Sequence, residues 1–376
     1  MEYKKLGDIA TYINGYPFKP EDRGECGLPI IRIQDLTGNT YDLGYYDGKY
    51  PERIEINNGD ILISWSASLG VYVWNRGKAL LNQHIFKVVF DKVEINKRYF
   101  VYAVQFKLKE MEAKTHGATM KHIVKKDFDS TLIPYPSLKE QSRIAEIIDS
   151  IAKSINMRQK QLQKLDELVK ARFVEMFGDV IRNSKSWEIR VLADIASSRL
   201  GKMLDTKQQT GECSYPYLAN FNVQWFRFNT ENLNQMDFNE EDRIEFELQN
   251  GDLLVCEGGE IGRCAVWHNE IQPCFFQKAL HRVRCNRQIV HPDYLGWWFK
   301  YNCDHDGFAT IAGAKATIAH LPGVKLKQLR VAIPPLELQE QFAAFVNQTD
   351  KSKAVVQKAL DEAQLLFDSL MQKYLG

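Results

Sequence analysis

The chain has 376 residues and a mass of 43.5 kDa, which suits two domains or more. With 44% apolar and 26% charged residues, 23 glycines and 12 prolines, it is neither disordered, collagen-like nor low in complexity. Its formal charge of +1 is small for a chain that grips nucleic acid through phosphates, unless charge is segregated or a partner supplies basic surface.

The opening MEYKKLGDIA has basic residues but no apolar run behind them, so no secretory signal is read there. No stretch reaches 18 apolar residues, so no membrane span is expected. Up to residue 133, short β-rich runs alternate with turn signals. The runs are Leu28–Ile33, Asp60–Ser64, Val71–Trp74 and Ile85–Phe90, with Asp47-Gly48, Asn58-Gly59 and Asn75-Arg-Gly77 between them. A helix over about Lys97–Met111 follows.

From Ser137 the period changes. No proline or glycine occurs before Gly178, and apolar residues recur at alternating spacings of four and three: Ile144, Ile148, Ile151, Ile155, Leu162, Leu165, Val169 and Met176. That narrow stripe predicts one long helix packing on another. Ser137 and Glu140 are placed for a capping box, and Gly178 for a C-cap.

The second half repeats the first. Leu6-Gly-Asp-Ile-Ala10 returns as Leu192-Ala-Asp-Ile-Ala196, Gly24-Glu-Cys26 as Gly211-Glu-Cys213, and Asn58-Gly-Asp60 as Asn250-Gly-Asp252. Trp74 and Trp267, then Gln83 and Gln277, then Gly117-Ala118 and Gly313-Ala314 follow in the same order. Ile133-Pro134 and Ile333-Pro334 come last, each leading to Glu-Gln (Glu140-Gln141, Glu340-Gln341). The offset grows from 186 through 192 to 200, as loop insertions accumulate between two copies of one unit. A helix at Tyr294–Tyr301 matches the one at Lys97–Met111. A second stripe, with Phe342, Phe345, Val356, Leu360, Ala363, Phe367, Leu370 and Tyr374, ends at Gly376.

The expected architecture is mixed α+β. It has two globular α/β heads in pseudo-twofold tandem repeat, at 1–136 and 179–335, and two long helices, at 137–178 and 336–376. A rod of some 38 residues is roughly 57 Å long. The two stripes are expected to bury each other as an antiparallel coiled coil, because the first rod must carry the chain to the second head and the second must return. The alternative is that each docks on its own head. Unlike heads on a stiff spacer would meet two different half-sites of B-DNA, whose groove face repeats about every 34 Å.

The residues resemble the specificity subunit of type I restriction–modification systems. The resemblance rests on Ile133-Pro-Tyr-Pro-Ser-Leu-Lys-Glu-Gln141 and Ile333-Pro-Pro-Leu-Glu-Leu-Gln-Glu-Gln341 opening the helices, on Leu6-Gly-Asp-Ile-Ala10 and Asn58-Gly-Asp60, and on Phe276-Gln-Lys-Ala-Leu-His-Arg-Val283. It spans the whole chain, although Tyr135-Pro136 departs from the usual Pro-Pro-Leu. It implies two target recognition domains reading double-stranded DNA, two DNA adenine methyltransferase subunits as partners, and restriction subunits for cleavage. A coiled-coil adaptor with two protein-binding heads is the alternative.

Catalytic motifs are missing: no Asn/Asp-Pro-Pro-aromatic tetrapeptide, no cofactor-binding glycine loop and no Walker A motif. No cofactor, metal or catalytic residue is therefore expected. Gly258-Gly-Glu-Ile-Gly262 reads as a hairpin or DNA-facing loop, and Cys303-Asp-His305 lacks a second pair to hold zinc. Seven cysteines without a C-x-x-C pair read as a reduced thiol set, as expected in the cytoplasm.

Base readout needs amide, cationic or hydroxyl side chains on firmly held loops. In the first head the candidates are Asn14, Arg32, Gln34, Ser64, Ser66, Gln83, His84, Thr115, Thr119 and Lys121. In the second they are Lys202, Asn220, Asn222, Gln224, Glu257, Arg263, Gln277, Lys278, Lys315 and Thr317. Gln83 pairs with Gln277 in the repeat, and Thr119–Lys121 with Lys315–Thr317. Basic runs just before each Ile-Pro, containing Lys125 and Lys126 in one copy and Lys325 and Lys327 in the other, suit phosphates. Asn58 and Asn250 read as turn residues.

Overall fold

In the computed structural model, which describes residues 2–39, 43–114, 123–205, 209–309 and 320–376, the recurring Asn-Gly-Asp motif builds the same turn twice. Gly59 and Gly251 sit at φ +91° and +90°, a region that glycine enters without Cβ strain. Their N–H groups donate to the carbonyls of Trp74 (2.8 Å) and Trp267 (2.7 Å). The Asp60 and Asp252 carboxylates accept the N–H of Asn57 and Gln249, each at 2.8 Å. Each turn launches a strand buried along its length, Ile61–Ser64 and Asp252–Cys256.

The chain divides into two units: Met1–Lys160 with Gln357–Gly376, and Gln161–Val356. In the first, an antiparallel sheet runs in the order Thr11–Asn14, Ile85–Val89, Ile61–Ser64, Gly70–Val73. A second sheet runs Tyr45–Tyr46, Leu28–Ile31, Ala79–Leu81, Glu55–Ile56, with Ile30 and Ile31 parallel to Leu80 and Leu81. Leu28–Ile33 does not continue as strand throughout, because Ile33–Leu36 turns into a short helix. The Asp35 carboxylate accepts the Arg32 N–H at 2.8 Å and begins that helix.

The second unit has the same plan. Its antiparallel sheet runs Ala196–Leu200, Leu280–Cys285, Asp252–Cys256, Cys264–Val266. Its second sheet runs Asn234–Asp237, Ser214–Leu218, Phe275–Phe276, with Tyr217 and Leu218 parallel to Phe275 and Phe276. The Gly258–Gly262 segment joins two antiparallel strands of the first sheet, as a hairpin does. Each unit closes with a short strand pair, Tyr3–Lys5 with Leu132–Pro134 and Glu188–Val191 with Arg330–Ile333.

The long helices cover Leu138–Phe177 and Leu336–Leu375, 40 residues each. Ser137 Oγ accepts the Glu140 N–H at 3.4 Å, but the Glu140 carboxylate turns to Arg143, so only half of the capping box forms. Gly178, at φ +74°, ends the first helix by donating to the Val174 carbonyl.

In the first unit, the opening turns of one long helix pack with the closing turns of the other, so they run antiparallel. Ile144, Ile148, Met371 and Leu375 share one core with Tyr99, Phe100 and Ala103 of the helix Lys97–Lys114. In the second unit Phe342 fills the same role, 5.5 Å from the Phe173 ring, 5.4 Å from Phe177 and 6.0 Å from Trp297. Lys353 adds an ion pair to Asp166 at 2.7 Å. Each helix end therefore packs on its partner helix and on a head at once. Of the seam residues, Ile144, Ile148, Val169 and Phe342 are buried. Ile151, Ile155, Leu162, Leu165, Val356, Leu360, Phe367 and Leu370 are half-buried.

The helices also correct the repeat alignment. Fully buried Gln141 donates to the Pro136 carbonyl at 2.9 Å and accepts the Asn96 N–H at 2.9 Å. Fully buried Gln339 donates to the Pro334 carbonyl at 2.8 Å and accepts the His291 N–H at 2.8 Å. The equivalent glutamines are therefore Gln141 and Gln339, whereas Gln341 is exposed. The true offset is 198, shared by both helix starts and both ends.

Candidate nucleic-acid interface

One backbone corner is built identically in both heads. In the first, Gly15 donates to the Ile85 carbonyl (3.1 Å), Tyr16 to Leu81 (2.8 Å), Asn82 to Ile31 (3.0 Å), Gln83 to Tyr16 (2.9 Å), Trp65 to His84 (3.2 Å) and Ile123 to Trp65 (2.9 Å). In the second, Gly201 donates to Leu280 (2.9 Å), Lys202 to Phe276 (3.2 Å), Gln277 to Leu218 (3.0 Å), Lys278 to Lys202 (2.8 Å), Glu257 to Ala279 (2.9 Å) and Leu321 to Glu257 (2.7 Å).

Both corners turn through a non-glycine residue at positive φ, His84 at +72° and Ala279 at +86°. Non-glycine residues are uncommon there, and each of these accepts one of the corner's bonds at its carbonyl between neighbours that are themselves hydrogen-bonded. A Cβ on Gly15 would lie 2.0 Å from the Asn82 oxygen, and one on Gly201 2.3 Å from the Gln277 oxygen. Only glycine permits that approach. These two glycines escaped the sequence reading, although each sits five residues after a recurring Asp-Ile-Ala run.

This geometry shifts the repeat at the corner by one residue. Asn82 matches Gln277, and Gln83 matches Lys278 rather than Gln277. Gln83 and Lys278 are exposed, and neither side chain makes a hydrogen bond or ion pair among the described residues. Beside them, Asn14 Oδ1 accepts from Trp65 Nε1 at 3.3 Å, and the His84 ring lies edge-on to Trp65 with its Nδ1 buried and without a hydrogen-bond partner among the described residues.

Other candidates hold local partners: Ser64 and Asn222 are buried, which corrects the expectation for them, and the rest are partly exposed. Ser64 is buried and donates to the Ser68 carbonyl. Asn222 is buried, accepting the Ala219 N–H and donating to the Asn229 carbonyl, both at 2.9 Å. The Lys202 ammonium is held by Asp242 at 2.5 Å and by the Asp237 carbonyl at 2.6 Å. Arg263 is spent on the Asn220 side chain (2.7 Å) and carbonyl (3.1 Å), and Asn220 in turn donates to the Gly258 carbonyl. Arg32 bonds Asp35 (3.4 Å), and Gln224 donates to the Phe221 carbonyl (3.0 Å). In each case a local partner occupies at least one donor or acceptor that a base edge would otherwise use.

Gln34, Glu257 and Gln277 are partly exposed, whereas Ser66 is buried, which corrects the expectation for it too. Thr115, Thr119, Lys121, Lys315 and Thr317 lie outside the described residues.

The basic runs form matched short helices, Lys125–Ser130 and Gly323–Lys327, each plugged into its head by a fully buried apolar residue, Phe128 or Leu326. Lys126, Lys325 and Lys327 are exposed, while Lys125 pairs with Asp129 at 2.8 Å. Acids are interleaved throughout. Lys125 and Lys126 share a hollow with Asp8 and Asp129, and Arg199 and Lys278 share one with Asp242 and Glu245. Behind the second hollow, burial lowers the His281 pKa below its usual value, and its Nε2 donates to the Leu321 carbonyl at 3.0 Å.

Comparison with known proteins gives this arrangement a context. The family model described as the type I restriction modification DNA specificity domain matches residues 1–167 and 184–364. The Type I restriction enzyme EcoBI specificity subunit of Escherichia coli is 24% identical over 402 residues, covering 99% of this chain and 84% of that protein. The EcoKI specificity subunit of E. coli K12 is 20% identical over 406 residues, covering 99% and 86%. The crystal structure of a type I restriction–modification S subunit from M. genitalium shares the fold, with a TM-score of 0.60, 15% identity, and coverage of 100% of this chain and 96% of that one.

Proposed function

Because this chain belongs to the type I restriction modification DNA specificity domain family, with both of its halves matched, we propose that it is the DNA sequence-recognition subunit of a type I restriction–modification complex. The observation that carries this reading is the twice-built corner. Two heads hold the same backbone rigidly and present different exposed side chains on it, Gln83 and Lys278. Unlike readers on like frames suit an asymmetric, two-part DNA target.

Each head, taken as residues 1–136 and 179–335, reads one half-site of double-stranded DNA, and the two long helices set the spacing between them. The subunit contributes selection, not chemistry, and acts in the cytoplasm. No described helix is long and apolar enough to cross a membrane. Two DNA adenine methyltransferase subunits are the partners, joined by restriction subunits for cleavage. The helices support paired partners: exposed Met157 and Leu168 on the first match exposed Val355 and Leu366 on the second, each at the 198-residue offset. The adaptor reading is not favoured, since the matched family model is a DNA specificity domain in both halves.

Long-read methylome sequencing of cells with and without the gene tests the proposal. A bipartite adenine-methylated motif that vanishes with the gene is expected, whereas an unchanged methylome would reject it.

A further inference from the structure

We propose that Gln83 and Lys278 are specificity-determining residues at equivalent corners, Gln83 reading an adenine in one half-site and Lys278 a guanine in the other. The inference rests on the DNA-recognition reading above and assigns bases within it.

Three observations select these two. First, the backbone on which they stand is fixed. Six hydrogen bonds clamp each corner, the preceding strand approaches so closely that only Gly15 or Gly201 fits, and the turn runs through a left-handed residue. A base reader needs such a base, because bidentate geometry is lost with small displacements. Second, both side chains are exposed and spend no donor or acceptor on the described protein, while Lys202, Asn222, Arg263 and Ser64 each hold local hydrogen-bond partners. Third, the equivalence is exact in the hydrogen-bond pattern, yet the residue types differ, which is what two different half-sites require.

The chemistry of each side chain then picks its base. A glutamine amide carries a donor and an acceptor, matching N7 and N6–H of adenine in the major groove. A lysine ammonium only donates, matching the paired acceptors O6 and N7 of guanine.

The test is methylome sequencing of cells carrying the intact complex with the wild-type chain, Gln83→Ala, Lys278→Ala, or Lys126→Ala as a phosphate-facing control. Gln83→Ala is expected to relax one adenine position in one half-site, lowering its discrimination roughly 10-fold, and to leave the other half-site unchanged. Lys278→Ala should relax one guanine position in the opposite half-site. Lys126→Ala should lower methylation at all sites without altering the motif. The exchanges Gln83→Lys and Lys278→Gln keep a long polar side chain at each corner, and should shift preference toward guanine and adenine respectively.

Two outcomes overturn the proposal. One is an unaltered motif in all four corner variants. The other is a uniform loss of methylation like that of Lys126→Ala, with the thermal unfolding midpoint unchanged. If the wild-type chain itself directs no bipartite motif, the broader reading fails instead, so the two failures are told apart.

Discussion

His281 shows how one buried side chain ties stability to pH. It occupies the position that Phe86 fills in the first head, each following the residue that the corner glycine contacts, Leu280 or Ile85. Burial lowers its pKa in the folded state. An unfolded histidine titrates near 6.5, so as pH falls the unfolded chain binds its proton first. The stabilising contribution is therefore complete above that value and shrinks as pH drops through it toward the lower folded value. His281→Phe removes the hydrogen bond to Leu321, at a cost of about 1 kcal/mol at pH 7.5. The stability gap between parent and variant should narrow from pH 7.5 to pH 5 in urea titrations, and a widening gap would contradict the assignment. At this scale the sequence was only half legible. It marked Gln83 and Lys278 but paired Gln83 with the wrong partner, because Gln277 and Lys278 are adjacent and only identity favoured the first. It marked Ser64, Asn222 and Lys202 as readers because residue type says nothing of which way a side chain faces. Gln339 was passed over for Gln341, since a Glu-Gln match outweighed a burial that becomes visible only in three dimensions.

The long helices were the most legible elements, because a four-three apolar stripe over some 38 residues has few other solutions. Both observed helices begin within one residue of the expected starts. The energy along them is uneven in a way that the stripe does not reveal. Phe342 is fully buried among Phe173, Phe177 and Trp297, whereas Leu162 is only half-buried. Truncating a large aromatic in such a core costs about 3–5 kcal/mol. Phe342→Ala should therefore cost about 4 kcal/mol in chemical denaturation, enough to unfold the second unit at moderate temperature. Leu162→Ala should cost about 1–2 kcal/mol, since much of its surface already meets water. Equal losses at the two positions would show that the stripe is uniformly loaded. Short elements were less legible. Ile33 belongs to a helical turn because Asp35 captures a backbone N–H, a local hydrogen bond that overrides a run of β-branched residues.

For the whole molecule the governing quantity is charge. A net +1 gives the chain almost no excess positive charge to set against a duplex, and Lys125, Lys202 and Arg199 are each held by an acid, Asp129, Asp242 and Glu245. Each phosphate neutralised steepens the fall of log affinity with log salt by about 0.9. An isolated chain that reaches phosphates mainly through residues such as Lys126 and Lys327 engages only a few of them. Its slope should then be shallow, on the order of −2 to −3, and its affinity weak at physiological salt. Partner subunits that close around the duplex add their own basic surface, so the assembled complex should bind more tightly and with a steeper slope. Fluorescence anisotropy of a labelled duplex carrying the methylated motif, titrated from 50 to 200 mM salt with the chain alone and with its methyltransferase partners, measures both slopes. Tight, sequence-specific binding by the isolated chain with a slope as steep as that of the complex would place the missing positive surface on this chain, and the division of labour between reader and partner would have to be redrawn.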